Sequence, residues 1–255
     1  MTTKQLHAVM LLFTMLSAFL QMRALSDTIP YVNQYNPQGL HCFISPSNSW
    51  GIADQDGAII LDPVYMMIDD KYEYAGLFLF SNDGLEWGFY DCMTGYISEQ
   101  SYINIYVNRD PNSDYIALDE GGYNGLGFFS RKEQKMVIEP QYNGENYTEF
   151  SYGWAWVMRV NNNDMDDFDL FLINESNEKL ELDDGIIPLS NFSQGRCRVY
   201  SESTQLEGFI DVYGNIVIDL QYISAWDFDE NGYAKVWDQE DRCWKIDVDG
   251  NPVSP

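Results

Sequence analysis

The sequence has little positive charge. Only 14 of its 255 residues are Lys or Arg, against 40 Asp or Glu, and the formal net charge is −26. Binding to nucleic acid needs clustered Lys and Arg on one face, so a surface of this sign repels such a partner. We therefore expect no nucleic-acid partner.

Histidine is scarce as well, with His7 near the start and His41 further along. A Ser-His-Asp arrangement would have to rest on His41, because His7 falls in a leader described below. His41 is followed by Cys42, and adjacent residues of a strand point to opposite faces, so the two make a poor nucleophile–base pair. We expect no enzyme and no cofactor. A carboxylate-based hydrolase of envelope polymers remains the alternative, because the many acids offer many possible pairs.

The four cysteines lack metal-binding spacing. Cys42, Cys92, Cys197 and Cys243 form no CxxC pair and have no paired histidine, so a zinc site is not expected. Three disulfide pairings are possible, and a free buried thiol at Cys197 fits equally well.

No apolar run is long enough to span a bilayer, which takes roughly 20 residues. Lys4 precedes an apolar run of 12 residues, Val9 to Leu20, and small residues follow at Ala24 and Ser26. This pattern predicts a cleaved export signal over residues 1–26. We expect the protein in the periplasm, at the cell surface or outside the cell, without membrane insertion after cleavage.

Glycines recur at a regular interval along the rest of the chain. Gly51, Gly88 and Gly127 are separated by 37 and 39 residues, and Gly208 follows after 81 residues, close to two further intervals. A period of about 38 residues indicates a repeat architecture.

Each repeat begins with a predicted β-hairpin. A short strand is followed by a turn with Asp at its start and Gly near its end, and a second strand follows. Asp accepts hydrogen bonds from its own turn, while Gly supplies the positive φ that closes it. The turns are Asp54 to Gly57, Asp91 to Gly95, Asp211 to Gly214 and Asp247 to Gly250.

A third strand completes each repeat and carries the pattern Gly-x-Ala-x-Val. In one copy Gly153, Ala155 and Val157 share one face and predict a core, so Trp154 and Trp156 are expected on the outward face. The equivalent outward positions are Leu77 and Leu79, Arg196 and Arg198, and Tyr233 and Lys235.

Together these features resemble the WG-repeat family (WG containing repeat, KWG-type) of bacterial proteins. The features are Trp50-Gly51 and Trp87-Gly88, the Asp-x-x-Gly turns, the Pro63-x-Tyr65 exit, and the Gly-x-Ala-x-Val strand. The resemblance covers residues 50–255, as about five repeats plus a partial sixth. It implies exported or multidomain bacterial proteins with a binding or scaffold role, and it brings no catalytic residues.

We predict an all-β fold of tandem three-stranded repeats, stacked in an open array over residues 50–255, with residues 27–49 as an extended N-terminal cap. A closed, propeller-like ring is the alternative. It is less favoured because three strands per repeat are short for a four-stranded blade.

The function expected from this reading is an exported, non-enzymatic binding or scaffold protein of the bacterial envelope, with a protein or glycan partner. Trp, Tyr and Arg are enriched at binding hot spots. The alternative for the outward face is that the next repeat covers it. The candidate binding residues are Trp154, Trp156, Arg196, Arg198, Tyr233 and Lys235.

A calcium-stabilised repeat is a further alternative. The densest acidic segment follows three asparagines, and its weak candidate ligands are Asp164, Asp166, Asp167 and Asp169. It lacks the full ligand set of a helical calcium loop, so a solvated turn is the simpler expectation.

Overall fold

The computed structural model describes residues 39–72, 75–108 and 113–253, and the regular elements in these ranges are all β-strands. The expected export signal, residues 1–26, and residues 27–38 of the expected cap lie outside the described residues. In the described ranges, no helix has the length and apolar character that crossing a membrane requires.

The strands are numbered in chain order. Their bounds are β1 His41–Ile44, β2 Trp50–Ala53, β3 Ile59–Tyr65, β4 Met67–Asp69, β5 Leu77–Ser81, β6 Gly88–Asp91, β7 Tyr96–Ile97, β8 Asn104–Val107, β9 Tyr115–Asp119, β10 Leu126–Ser130, β11 Lys135–Tyr142, β12 Ala155–Asn161, β13 Asp164–Ile173, β14 Ile186–Pro188, β15 Cys197–Ser201, β16 Glu207–Ile210, β17 Ile216–Tyr222, β18 Ser224–Ala225, β19 Tyr233–Trp237, β20 Cys243–Asp247 and β21 Pro252–Val253.

The described residues divide into two compact units, one up to Asp114 and the other from Tyr115 onward. The first unit contains sheets of order β1-β2-β3 and β4-β5-β6-β7. In the second unit the orders are β11-β10-β9, β12-β13, β14-β15-β16-β17 and β18-β19-β20-β21. The strand pairs within these sheets are antiparallel. The all-β fold of tandem repeats is confirmed. The three strands predicted per repeat are corrected to four in the β4–β7, β14–β17 and β18–β21 sheets, where a short strand (β4, β14 or β18) pairs with the third strand of the repeat.

Successive sheets within a unit share their cores. In the second unit, Phe209 and Ile218 from one sheet lie in the same buried cluster as Ala234, Val236 and Ile246 from the next. A repeat therefore buries its apolar face against its neighbour, as a solenoid-type array requires.

The described part of the expected cap belongs to the first sheet. Strand β1 pairs with β2 in the register His41↔Ala53, as Cys197 pairs with Ile210 in a later sheet. Gly39 precedes β1 with φ 70°, and Gly195 precedes β15 with φ 72°. Strand β1 is thus the third-part strand of a further repeat, meaning the strand that carries the Gly-x-Ala-x-Val pattern in other repeats. No hairpin of that further repeat lies among the described residues.

The Asp turns form as their sequence predicts. At Asp247, one carboxylate oxygen accepts hydrogen bonds from the N–H groups of Asp249 and Asn251, at 3.0 and 2.9 Å. Asp54 and Asp211 make the same pair of bonds within their own turns. The backbone and side-chain amides of Asn251 hold the pKa of Asp247 below its usual value.

This lowered pKa predicts an acid-dependent loss of stability that Asp247→Asn removes. The charged carboxylate stabilises the fold at pH values above its unfolded-state pKa, and the stabilisation is lost as the pH falls through the lower, folded-state pKa. Asp247→Asn is therefore expected to be less stable than the wild type at pH 7 and equally stable at low pH. Urea unfolding across this range measures the difference, and a gap that does not change with pH would contradict the assignment.

The glycines that mark the repeat lie where a side chain has no room. In the β16–β17 hairpin the register shifts around Gly208, which has no Cα partner in β17. A Cβ at Gly208 would lie 2.5 Å from the carbonyl oxygen of Ile218, and one at Gly127 would lie 2.5 Å from that of Ile138. Close backbone approach at a bulge therefore explains the recurring glycine.

Candidate functional site

The two tryptophans predicted to face solvent contact the following sheet instead. Trp154 Nε1 donates to the carbonyl oxygen of Val212 at 3.1 Å, and Trp156 Nε1 donates to that of Pro188 at 2.9 Å. Both rings are half-buried and pack against the cluster around Cys197 and its neighbours. The prediction that Trp154 and Trp156 face solvent is therefore wrong, because the next repeat covers this face of the strand.

The two arginines make the equivalent contacts one sheet later. Arg196 Nε donates to the carbonyl oxygen of Val248 at 2.8 Å, and Arg198 Nη1 donates to that of Ala225 at 2.9 Å. Arg198 also pairs with Asp227 at 3.3 Å. These side chains, too, are largely buried between two sheets, with 21% and 23% of their surface exposed.

The acceptors occupy matching places in the two sheets that receive these bonds. Val212 and Val248 are the second residues of their Asp-x-x-Gly turns. Pro188 lies in β14 and Ala225 in β18, the first strands of their sheets. We call the two donor positions of each third-part strand the clasp pair, since Trp and Arg use them alike to hold the following sheet.

In the first unit the clasp pair is apolar. Leu40 and Cys42 occupy these positions in the first sheet, and they lie in one cluster with Phe78 and Phe80 of the next. Leu77 and Leu79 are 0% and 5% exposed. The clasp positions are thus buried in these repeats whether they carry Trp, Arg, Leu or Cys.

The β18–β21 sheet differs, because Tyr233 of its clasp pair is exposed to solvent, while Lys235 is half-buried. Tyr233 is 37% exposed, and its hydroxyl has no hydrogen-bond partner among the described residues. Lys235 Nζ lies 4.7 Å from the centroid of the Trp226 ring, an aromatic side chain that is 55% exposed. The Trp237 ring stands 5.4 Å from that of Trp226. The outer face of this sheet is therefore aromatic and cationic.

Tyr233 and Lys235 are predicted from the sequence, whereas Trp226 and Trp237 are not. The alternation in β19 contained a signal for Trp237, because Tyr233, Lys235 and Trp237 stand two residues apart and share a face. Trp226 lies just beyond β18, and no repeat motif marks it.

The acidic candidates for a metal make separate contacts within the β12–β13 hairpin. Asp167 accepts hydrogen bonds from the side-chain amides of Asn161 and Asn162, at 3.2 and 3.1 Å. Asp169 pairs with Arg159 at 3.3 Å. Asp164 accepts a hydrogen bond from the backbone N–H of Asp166 at 3.1 Å. Within the described ranges, no group of three or more His, Cys, Asp or Glu side chains is placed to hold a metal ion.

The residues weighed for covalent chemistry are not assembled for it. The four cysteines are free thiols, and burial raises the pKa of the Cys197 thiol to about 12, which keeps it protonated and unreactive. His41 Nδ1 is buried and has no hydrogen-bond partner in the part of the chain that the structure describes. No acid or nucleophile in that part therefore orients this nitrogen.

Comparison with known proteins identifies the repeat. The family model described as "WG containing repeat" matches residues 127–163 and 208–236, as the sequence motifs predicted. Apart from single residues at their ends, these two segments cover the β10–β11 and β16–β17 hairpins and the strands β12, β18 and β19 that follow them. No curated protein matches the chain.

Solved structures share only a distant likeness. A computationally designed protein named Ika8 is 8% identical, with 85% of this chain and 70% of that chain covered and a TM-score of 0.36. Hsv2 from Kluyveromyces lactis is 12% identical, with 84% and 72% covered and a TM-score of 0.34. BamB from Moraxella catarrhalis is 10% identical, with 86% and 73% covered and a TM-score of 0.34. At these scores the likeness carries no argument about function.

Proposed function

We propose that this chain, which matches the WG containing repeat at residues 127–163 and 208–236, is an exported, non-enzymatic binding protein that holds a protein partner in the bacterial envelope. The binding face is the outer face of the β18–β21 sheet. Export is inferred from the leader pattern of residues 1–26, which combines a basic start, a short apolar run and small residues before the cut.

The exposed aromatic group around Trp226 is the observation that carries this proposal. Trp226 and Tyr233 are 55% and 37% exposed, while the clasp residues Leu40 and Leu77 are 8% and 0% exposed. Large aromatic rings bury much apolar area at little cost in side-chain entropy, which makes them frequent hot spots. Trp226 and Tyr233 lie beside Lys235, so this face combines apolar area with a positive charge.

The charges on this face indicate the chemistry of the partner. Lys235 and Lys245 are opposite each other in the β19–β20 register, and Lys245 Nζ lies 5.8 Å from the Tyr233 ring centroid. Lys ammonium groups and a Tyr hydroxyl donate hydrogen bonds. A protein surface that presents carboxylates and backbone carbonyl oxygens is therefore the matching partner.

A photo-cross-linking amino acid at position 233 tests this face. We expect covalent adducts with a partner protein when the chain is irradiated in envelope extract, and we expect Trp226→Ala in the same chain to remove them. The matched control carries the cross-linker at Tyr213, which is 80% exposed on a different sheet. Equal labelling from positions 233 and 213 would contradict the proposal. Adducts that disappear after glycosidase treatment would assign the face to a glycan instead.

A further inference from the structure

The clasp pair of the β18–β21 sheet occupies the same positions in its repeat as the pairs that hold a following sheet inside the chain. Trp154 and Arg196, at the first clasp position, each donate to the second residue of an Asp-x-x-Gly turn, at 3.1 and 2.8 Å. Tyr233 occupies that position in the β18–β21 sheet. Its hydroxyl is a donor without an acceptor in the described residues.

A matching acceptor is exposed on the β1–β3 sheet. The turn from Asp54 to Gly57 closes with a bond from Gly57 N to Asp54 O at 3.1 Å, close to the 2.9 Å of the turn from Asp247 to Gly250. Gln55 stands where Val248 stands in that turn, and it is exposed. Among the described residues, the carbonyl oxygen of Gln55 accepts no hydrogen bond.

The charges of the two surfaces are complementary. The acceptor turn carries Asp54 and Asp56, and Asp56 occupies the place of Asp249, which pairs with Arg196 at 3.8 Å inside the chain. The clasp face presents Lys235 and Lys245. Opposite charges steer two such surfaces together and fix their register.

We propose that two copies of this chain associate heterologously, with the Tyr233–Lys235 clasp pair of one copy docked on the Asp54–Gly57 turn of the other. The Tyr233 hydroxyl donates to the Gln55 carbonyl oxygen, and Trp226 packs at the centre of the contact. This inference rests on the proposed function, since it names a second copy as the protein that the face binds. Because the two surfaces differ, each copy presents one of each, and the contact propagates rather than closing as a twofold dimer.

Two blocked variants test this arrangement by sedimentation velocity. The clasp-blocked variant carries Tyr233→Ser with Lys235→Glu. The turn-blocked variant carries Asp56→Lys with Ala58→Lys, both at exposed positions that leave the Asp54 side chain in its turn. We expect the wild type to form a concentration-dependent series of species, and each variant alone to associate at least about tenfold more weakly.

The mixture of the two variants is the decisive sample. One variant keeps a free clasp face and the other keeps a free acceptor turn, so a heterologous contact predicts a one-to-one complex in the mixture. A control variant with Tyr213→Ser and Lys135→Glu, which changes an exposed Tyr and an exposed Lys elsewhere, should associate like the wild type. Circular dichroism establishes that each variant is folded.

Three results would overturn the inference: a wild type that stays monomeric, blocked variants that still associate alone, or a mixture of folded variants that forms no complex. The position-233 cross-linker separates this failure from failure of the proposed function. An adduct with the Gln55 region of a second copy supports both, whereas an adduct with a different protein alone overturns the second-copy proposal and leaves the binding function standing.

Discussion

Gly208→Ala is expected to lower the free energy of unfolding by about 3 kcal/mol, the upper range for forcing extra atoms into a packed site. The added Cβ would meet the carbonyl oxygen of Ile218 at 2.5 Å and that of Asp219 at 2.8 Å. Both contacts are with backbone, so relief requires β17 to move away from β16. That movement opens the hairpin and disturbs the core shared by Phe209 and Ile218.

Gly195→Ala is the matched control for this substitution. Gly195 adopts φ 72°, but a Cβ there would meet nothing within 4 Å. Its replacement should cost only about 1 kcal/mol, the penalty for an L-residue in the left-handed region. Urea unfolding followed by far-ultraviolet circular dichroism measures both variants. Equal losses would show that backbone conformation, rather than close approach, explains the glycine of the repeat.

Much of the hairpin could be predicted from the sequence because its chemistry is local. An Asp that accepts bonds from its own turn and a Gly at positive φ define the turn from Asp211 to Gly214, whatever surrounds it. The recurrence of such turns also predicted the repeat, and the family match at residues 127–163 and 208–236 agrees.

The environment of the third-part strand could not be predicted in the same way. Alternation assigns Ala155 and Val157 to one face and the two tryptophans to the other, but it does not say whether a second sheet lies on that other face. Sheet stacking places Val212 and Pro188 there, and those residues follow much later in the chain. The local pattern contained no signal for this contact.

The repeat motif also could not predict strand β1. Gly39 opens it as Gly195 opens β15, but no Trp-Gly hairpin precedes Gly39, so the segment was predicted only as an extended cap. The pairing of His41 with Ala53 assigns the strand to the first sheet. A partial repeat is hard to recognise when only one of its three parts is present.

Replacing Trp154 and Trp156 together by Ala is expected to lower the free energy of unfolding by about 4 kcal/mol. The two half-buried rings lose packing against the cluster around Cys197, and two carbonyl oxygens lose their donors. The double replacement by Phe keeps most of the packing but removes the N–H groups, so it should cost about 1 kcal/mol per hydrogen bond.

Trp226→Ala is the control on the outer face. Its ring is 55% exposed but contacts the Trp237 ring and Lys235, so its loss should lower the free energy of unfolding by only about 1 kcal/mol. The three variants together separate a tryptophan that holds two sheets from one that is available to a partner. They also rank packing above hydrogen bonding in the clasp.

The clasp pair holds successive repeats together, and the β18–β21 sheet leaves Tyr233 of its pair exposed for binding. The most direct measurement compares the urea midpoints of the Trp154→Ala, Trp156→Ala double variant and of Trp226→Ala with that of the wild type. A large decrease for the first variant and a much smaller one for the second are the expected results. A double variant as stable as the wild type, or a Trp226→Ala chain destabilised as much as the double variant, would contradict the claim.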